Sequence, residues 1–132
     1  MKRIMIRAGE IESKGELNDS ATARAIWEVL PLEGSANIWG EEIYFRIPVI
    51  QGLEADAQEL VQLGALGYWP QGQAFCIFFG ETPISRPGEI RPASAVNIVG
   101  RLLDDPMRFL EVSAGASVSI ERAERSPERA TC

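Results

Sequence analysis

The sequence predicts an all-β protein, built as a sandwich or a barrel and carrying one clear helix. About eight short segments have β character, closely spaced Gly and Pro turns separate them, and one stretch alone has strong helical periodicity. The chain has 132 residues, of which 45% are hydrophobic and 24% charged. These values are typical of one soluble domain that is large enough to bury its own core.

Composition excludes several kinds of site. The formal net charge of −6 disfavours a dedicated nucleic-acid-binding protein, which more often carries a basic patch. The chain contains no histidine, so histidine-based catalytic triads and histidine-ligated metal sites are excluded. Its two cysteines, Cys76 and Cys132, are too few for a cysteine-rich zinc site or a disulfide scaffold. We therefore expect no metal and no cofactor.

The hydropathy pattern leads us to expect a cytoplasmic protein that does not enter a membrane. Arg7 interrupts the apolar run near the N-terminus after three residues, whereas a signal peptide needs about 7–15. No window approaches the roughly 18 apolar residues of a membrane helix. Two free thiols are favoured over a Cys76–Cys132 disulfide, because Cys76 lies in an apolar run and Cys132 in a polar tail.

The N-terminal third predicts a β-hairpin followed by a helix. Residues 2–7 and 11–17 both alternate with period two, and a Gly turn joins them. Residues 18–20, Asn-Asp-Ser, offer N-cap side chains. Residues 21–30 then carry an apolar stripe at helical spacing, and Pro31 ends the helix.

The rest of the chain is mostly β in character. Residues 73–79 are apolar on both faces, as a central strand should be. A second short helix is expected over 104–112, with Pro106 in its first turn. The polar residues 124–132 are expected to form a disordered tail, which leaves a domain of residues 1–123. The other expected strands are 36–39, 42–47, 60–63, 65–69, 93–102 and 117–123.

Three strings resemble a family of small prokaryotic proteins that have a cyclophilin-like fold and no established activity. They are WGEEIYF at 39–45, GYWPQGQAFCIFFGETPIS at 67–85 and PASAVNIVG at 92–100. With the hairpin and helix at the start, the resemblance covers roughly residues 2–122. It implies a closed, eight-stranded cyclophilin-like β-barrel capped by one or two α-helices. Closure agrees with the strand count, because it removes the exposed edges of many short strands.

The order of elements is also similar to that of true cyclophilins, the peptidyl-prolyl isomerases. FRIP at 45–48 with IQG at 50–52 resembles the isomerase string that bears the catalytic arginine and the substrate-binding glutamine. The resemblance would give these roles to Arg46 and Gln51, and it would place Phe75 among the aromatics of the proline pocket. The sequence departs from that pattern, since Arg46 and Gln51 are five residues apart instead of eight and no histidine is present.

Arg46 has two interpretations. An arginine that donates to the prolyl nitrogen weakens the double-bond character of the peptide bond, and this electrostatic catalysis needs no proton transfer. The interpretation that we favour is a solvated residue beside Glu42 and Tyr44 on an outward strand face, where charge pairs are common. Glu41 and Glu42 are adjacent on a strand and point to opposite faces, so solvation or cross-strand pairing is favoured over a shared ligand.

The candidate ligand-binding residues are those that could surround a pocket at the side of the barrel. Trp69 ends a strand, where its indole could line a mouth. Arg91 beside Ser94 could bind an anion, although turn hydrogen bonds explain the hydroxyl groups more simply. Asn97 stands among apolar residues and needs a partner if it is buried. The full set of candidates is Tyr44, Arg46, Gln51, Trp69, Phe75, Arg91 and Ser94.

Three functions are compatible with the sequence. We favour a binding module, without catalysis, for a small ligand or an extended peptide. The alternatives are a peptidyl-prolyl isomerase, in which Arg46 would be the catalytic residue, and an accessory domain that binds a partner protein. Fold alone does not choose among them, because function lies in the site.

Overall fold

The structure of the protein, a computed structural model, describes residues 1–123. The predicted tail at 124–132 and Cys132 lie outside the described residues. The elements in chain order are β1 (Lys2–Ala8), β2 (Ile11–Leu17), α1 (Ala21–Val29), β3 (Leu32–Ser35), β4 (Asn37–Ile38), β5 (Glu42–Arg46), β6 (Ala65–Trp69), β7 (Ala74–Phe78), β8 (Asn97–Leu102), a 3₁₀ helix (Pro106–Glu111) and β9 (Ser117–Arg122).

All the strands of the described part belong to one antiparallel sheet that curls into a nearly closed barrel. Their order is β3-β9-β1-β2-β8-β6-β7-β5-β4. The two edge strands, β3 and β4, follow each other in the chain and are joined at Ala36, so the last gap of the barrel is spanned by the chain itself. The prediction of an all-β cyclophilin-like fold is confirmed, with nine strands instead of eight and one unpaired seam.

The hairpin and the helix form as predicted. β1 and β2 pair from Lys2 opposite Leu17 to Ala8 opposite Ile11. Ser20 is the N-cap of α1, where its hydroxyl accepts a hydrogen bond from the Ala23 N–H at 3.1 Å. The helix ends at Val29, close to Pro31, and the second predicted helix is instead a 3₁₀ helix.

The barrel interior is filled by alternate residues of the strands. Phe45 and Phe75 pack together with ring centroids 5.9 Å apart, and both are almost completely buried. Phe109 of the 3₁₀ helix packs against Phe79, with centroids 6.1 Å apart. β7 is buried on both faces along its whole length, as its apolar sequence predicts.

Two irregular segments lie across the outer face of β5 to β8. One is residues 53–63, and the other is residues 80–96, which we call the cover. Backbone bridges join them at Gln58–Val96 and Val61–Ile90. A second group of buried side chains, the outer cluster, lies on this side of the sheet and consists of Ala65, Cys76, Phe78, Ile90 and Val96.

The structure corrects two predicted strands and adds one that was not predicted. Residues 60–63 form no strand, because Val61 makes a single bridge to the cover and not a ladder in the sheet. The strand predicted at 93–102 begins at Asn97, because Val96 bonds to Gln58 instead. β3 was not predicted, and it forms by pairing with β9.

Candidate functional site

Three of the predicted site residues lie together on the outer face of the barrel. Tyr44 and Trp69 make an edge-to-face contact, with ring centroids 6.1 Å apart and an interplanar angle of 82°. The Trp69 indole N–H donates to the Ser94 hydroxyl of the cover at 2.7 Å. Ser94 therefore fixes the indole against the cover, and all three residues are half-buried.

Arg91 lies in the cover but is occupied by contacts within it. Its Nε is 2.9 Å from a carboxylate oxygen of Glu89, and its backbone N–H donates to the Ser85 hydroxyl at 2.9 Å. Thr82 donates its hydroxyl to the Arg91 carbonyl oxygen. These bonds stabilise the turns of the cover, as the turn interpretation of the hydroxyl groups predicted.

The structure does not bring the isomerase-like residues into one pocket. Arg46 is exposed and reaches Gln73, with Nη2 3.4 Å from Oε1. The backbone N–H of Gln51 donates to the Tyr68 hydroxyl, 3.3 Å away. Phe75 is fully buried inside the barrel, where a ligand on the outer face cannot touch it.

Glu42 is neither solvated nor part of an ion pair within residues 1–123, the two environments that the sequence analysis favoured for it. It alternates with the inward-pointing Ile43 and so faces the outer side of the sheet, yet it is only 5% exposed. Its Oε1 is buried without a hydrogen-bond partner. Burial raises the pKa of this carboxyl to about 7, although a hydrogen bond from the Cys76 thiol partly opposes the rise.

The position of Glu42 has no distinct signal in the sequence. The preceding residue, Glu41, lies in the turn before β5, and its side chain is so close to Gly80 that a Cβ there would collide with it. Two adjacent glutamates with the same local pattern thus have different environments. Long-range packing of the cover makes the difference, and local sequence does not report it.

Asn97 has the partners that its apolar surroundings require. Its amide donates to the Thr22 hydroxyl at 3.0 Å and to the Gly52 carbonyl oxygen at 2.9 Å. Its Oδ1 accepts from the Glu54 N–H at 2.8 Å, and the Glu54 carboxylate in turn accepts from the Thr22 N–H. The network connects three parts of the fold, namely β8, the start of α1 and the segment that follows β5.

A groove of about 690 Å³ runs along the side of the barrel, beside β2, β6 and β8. The apolar part of its lining includes Leu60, Leu63 and Ile98, and the polar part includes Asn18, Glu16 and Arg101. Sequence reasoning missed this groove, since its walls come from three stretches that are far apart in the chain.

An ion-pair cluster stands at the polar wall of the groove. Glu16 is buried, and its two carboxylate oxygens lie 2.9 Å from Arg101 Nε and 3.6 Å from Arg3 Nε. Glu16 and Arg101 are register partners on β2 and β8, which places the two side chains on one face of the sheet. The Arg101 side chain itself is 68% exposed.

Within residues 1–123, no group of three or more acidic or cysteine side chains is arranged to hold a metal ion. No helix in this part of the chain is long and apolar enough to cross a membrane. Cys76 is a free thiol, fully buried, and burial raises its pKa well above the usual value.

The chain is similar to proteins of one family. The family model described as cyclophilin-like matches residues 2–121. A hypothetical protein from Archaeoglobus fulgidus, solved in solution, is 42% identical with a TM-score of 0.77, over 92% of this chain and 95% of that one. McbB in complex with tryptophan is 15% identical with a TM-score of 0.68, over 93% of this chain and 45% of that one. This second similarity shows that the fold is shared and nothing more. No curated protein matches the chain.

Proposed function

The chain belongs to the cyclophilin-like family, and we propose that within this family it is a non-catalytic binding module for a small ligand. The groove beside β2, β6 and β8 carries this proposal. Its volume of about 690 Å³ is in the range of small-molecule sites, which span roughly 300–1,000 Å³.

The apolar wall of the groove supplies a reason for binding. Leu60 is 44% exposed and Leu63 is 54% exposed, and both line the groove. A ligand with an apolar body would remove part of this surface from water. Complete burial of a leucine side chain contributes about 1.5–3 kcal/mol, so burial of the exposed halves of two leucines would contribute roughly that amount in total towards binding.

The polar wall supplies a reason for orientation. Among the described residues, the Arg101 guanidinium donates only through Nε, to Glu16, and its side chain is largely exposed. Its terminal nitrogens therefore stay available to a ligand oxygen. A planar guanidinium in a fixed position suits a carboxylate, which it can bind with two hydrogen bonds. The ligand class that fits both walls is a small apolar carboxylate.

One structural neighbour has been solved with a small ligand. McbB is in complex with tryptophan, and the part that matches the present chain spans 45% of McbB. At 15% identity this similarity says nothing about which residues of the present chain would bind. The class of ligand is therefore argued from the two walls of the groove.

A nuclear magnetic resonance titration tests the proposal. The ¹⁵N-labelled protein is titrated with free amino acids, short-chain carboxylic acids and the corresponding amides, and with short extended peptides. We expect saturable shifts at Leu63, Ile98 and Arg101, larger for the carboxylates than for their amides. Saturable shifts from peptides alone would support the extended-peptide ligand instead. Shifts confined to Tyr44 and Trp69, or none from any probe, would contradict the groove as the site.

A matched pair of variants provides the control. Leu63 and Leu110 are equally exposed, at 54%, but Leu110 lies on the 3₁₀ helix and does not line the groove. Leu63→Ser should weaken binding of an apolar carboxylate by about fivefold through the lost apolar contact, without adding a charge to the groove. Leu110→Ser should leave the dissociation constant unchanged.

A further inference from the structure

Glu42 is an exception in a structure whose buried polar groups are otherwise paired. Of the buried side-chain nitrogen and oxygen atoms in residues 1–123, Glu42 Oε1 is the one that has no hydrogen-bond partner. Buried polar groups without partners are rare in native proteins, because their desolvation is not compensated. The position of this carboxyl therefore requires an explanation beyond stability.

The cover lies on the outer side of the sheet, the side to which Glu42 points. The residue points to the outer side of β5, beside Phe78 of β7, and an uncovered residue there would be solvated. Two backbone hydrogen bonds hold the chain after β7 against the turn before Glu42. The Phe79 N–H donates to the Glu41 carbonyl oxygen, and the Glu41 N–H donates to the Glu81 carbonyl oxygen. Separation of the cover from the sheet would expose the carboxyl.

The cover is weakly attached. Its buried apolar side chains in the outer cluster are Ile90 and Val96, and most of its other residues are exposed or half-buried. Its hydrogen bonds to the rest of the described chain are the one from Glu41 to Glu81, those of two single backbone bridges, and the one from Trp69 to Ser94. Segments with few apolar contacts and few ladder hydrogen bonds open at a lower free energy than the core strands.

No cation compensates the carboxyl. On β7 its titratable neighbour is the Cys76 thiol, and on β5 it is the Tyr44 hydroxyl. In the turn before β5, Glu41 packs against Gly80. In the cover, Glu81 accepts from the Gly88 N–H, and Arg91 is paired with Glu89, while Arg86 is exposed. No ion pair in residues 1–123 includes Glu42.

We propose that the cover, residues 80–96, is a pH-sensitive lid on the side of the barrel. Ionisation of Glu42 releases this lid. With the lid closed the carboxyl is best accommodated in its neutral form, because a buried carboxylate without a partner is strongly unfavourable. With the lid open the carboxylate is hydrated. Opening uncovers the fully buried Cys76 and the remaining covered parts of Tyr44 and Trp69, and thus enlarges the exposed aromatic surface.

The direction and range of the response follow from proton linkage. Burial raises the pKa of Glu42 from 4.5 to about 7, so the closed state binds the proton more tightly than the open state. The opening equilibrium constant therefore increases as pH rises from about 4.5 to 7 and becomes level above that range. From these two pKa values the increase between pH 5 and pH 8 is roughly 50- to 100-fold.

The reactivity of Cys76 with a thiol reagent measures opening directly. In a Cys132→Ser background Cys76 is the chain's one remaining thiol, and it is fully buried when the lid is closed. We compare the labelling rate of this protein with that of the same protein carrying Glu42→Gln, from pH 5 to pH 8. The rise in thiolate reactivity with pH is common to both and cancels in the ratio.

We expect the ratio of the two rates to rise by the factor given above and to become level above pH 7. A ratio that stays constant across this range would overturn the proposal. Ser94→Ala, which removes the hydroxyl that receives the Trp69 N–H, should speed labelling at every pH and leave the pH dependence unchanged. If Ser94→Ala does not speed labelling, the cover is not what limits access to Cys76.

Hydrogen exchange separates lid opening from unfolding of the whole protein, and it remains informative if Glu42→Gln folds poorly. The N–H groups of Val61 and Val96 bond across the two outer segments, whereas those of β1 lie in the sheet. Val61 and Val96 should exchange through an opening of lower free energy than that of the β1 amides, and this opening should become easier as pH rises. Equal opening free energies at all these sites would show that the cover opens only with the whole molecule, which would overturn the proposal.

Discussion

Asn97 and Glu42 are both polar residues buried on the sheet, and they differ in whether their hydrogen bonds are completed. The amide of Asn97 has three partners, from α1 and from the segment after β5. The carboxyl of Glu42 is left with an oxygen that has none. At the residue scale, Asn97 joins three segments through completed hydrogen bonds, and Glu42 is a buried titratable group. Each residue leads to a prediction.

Replacement of Glu42 should change how stability depends on pH. Its pKa is raised from 4.5 to about 7 in the folded state, so its neutral form stabilises the protein fully below pH 4.5. This stability is lost as pH rises through 7. The loss between pH 4 and pH 8 should be about 3 kcal/mol in the wild type and absent from Glu42→Gln.

Urea denaturation at several pH values measures this difference. Other groups also titrate over the range, but their contribution is shared by the two proteins and is removed by subtraction. If the free energies of unfolding of the two proteins remain parallel from pH 4 to pH 8, Glu42 is not a neutral buried acid.

Asn97→Ala should destabilise the protein by about 2–4 kcal/mol. The change leaves buried groups of Thr22, Gly52 and Glu54 without their partner, and each such loss costs about 1–3 kcal/mol where water cannot enter. Asn37→Ala is the control, because Asn37 is exposed and donates a single bond, to the Tyr44 carbonyl oxygen. Asn37→Ala should lower the free energy of unfolding by under about 1 kcal/mol in urea denaturation. Equal losses for both variants would contradict a structural role for the Asn97 hydrogen bonds.

At the scale of the element, predictability follows the range of the interactions. The hairpin, α1 and β7 each carry their periodicity and their turn or cap residues within a short stretch, and each was predicted. β3 and the segment at 60–63 depend on partners elsewhere in the chain; β3 was not predicted, and the strand predicted at 60–63 is wrong. A four-residue strand such as β3 contains too few side chains to show a period.

β7 should contribute strongly to stability because it separates the barrel interior from the outer cluster. Phe78 belongs to the outer cluster, and Phe79, which follows the strand, belongs to the interior core; both are buried. Phe78→Ala and Phe79→Ala should each lower the free energy of unfolding by about 3–5 kcal/mol. Losses under about 1 kcal/mol at both positions would contradict these assignments, and the exposed Leu110→Ala should change stability by less than about 0.5 kcal/mol.

At the scale of the whole molecule, the sequence predicted the fold better than the site. The family resemblance predicted the cyclophilin-like barrel, and the family match over residues 2–121 confirms this prediction. Of the predicted site residues, the structure brings together Tyr44, Trp69 and Ser94. The groove and the burial of Glu42 arise from the way the outer segments fold back over the sheet, and a list of residues contains no such information.

Prolyl isomerase activity should be low or absent. Isomerisation needs an apolar pocket for the proline ring beside a donor that reaches its nitrogen, and errors of about 1 Å in such placement can cost a hundredfold in rate. Here Arg46 is exposed at the end of β5, and Phe75 lies inside the barrel. The check is catalysis of cis–trans relaxation in a proline-containing peptide, by the wild type and by Arg46→Ala. A strong wild-type rate that Arg46→Ala abolishes would instead identify an isomerase.

The seam between β3 and β4 has a consequence for how molecules of this protein behave towards one another in concentrated solution. An open sheet invites a strand of a neighbouring molecule to add to its edge, and such addition starts aggregation. Here one edge offers four residues and the other two, against a usual strand length of about five or six. Because the two edges meet at Ala36, little room is left for a foreign strand to align with either. A barrel left open at this place therefore gains nearly the same protection from intermolecular strand pairing as a closed one.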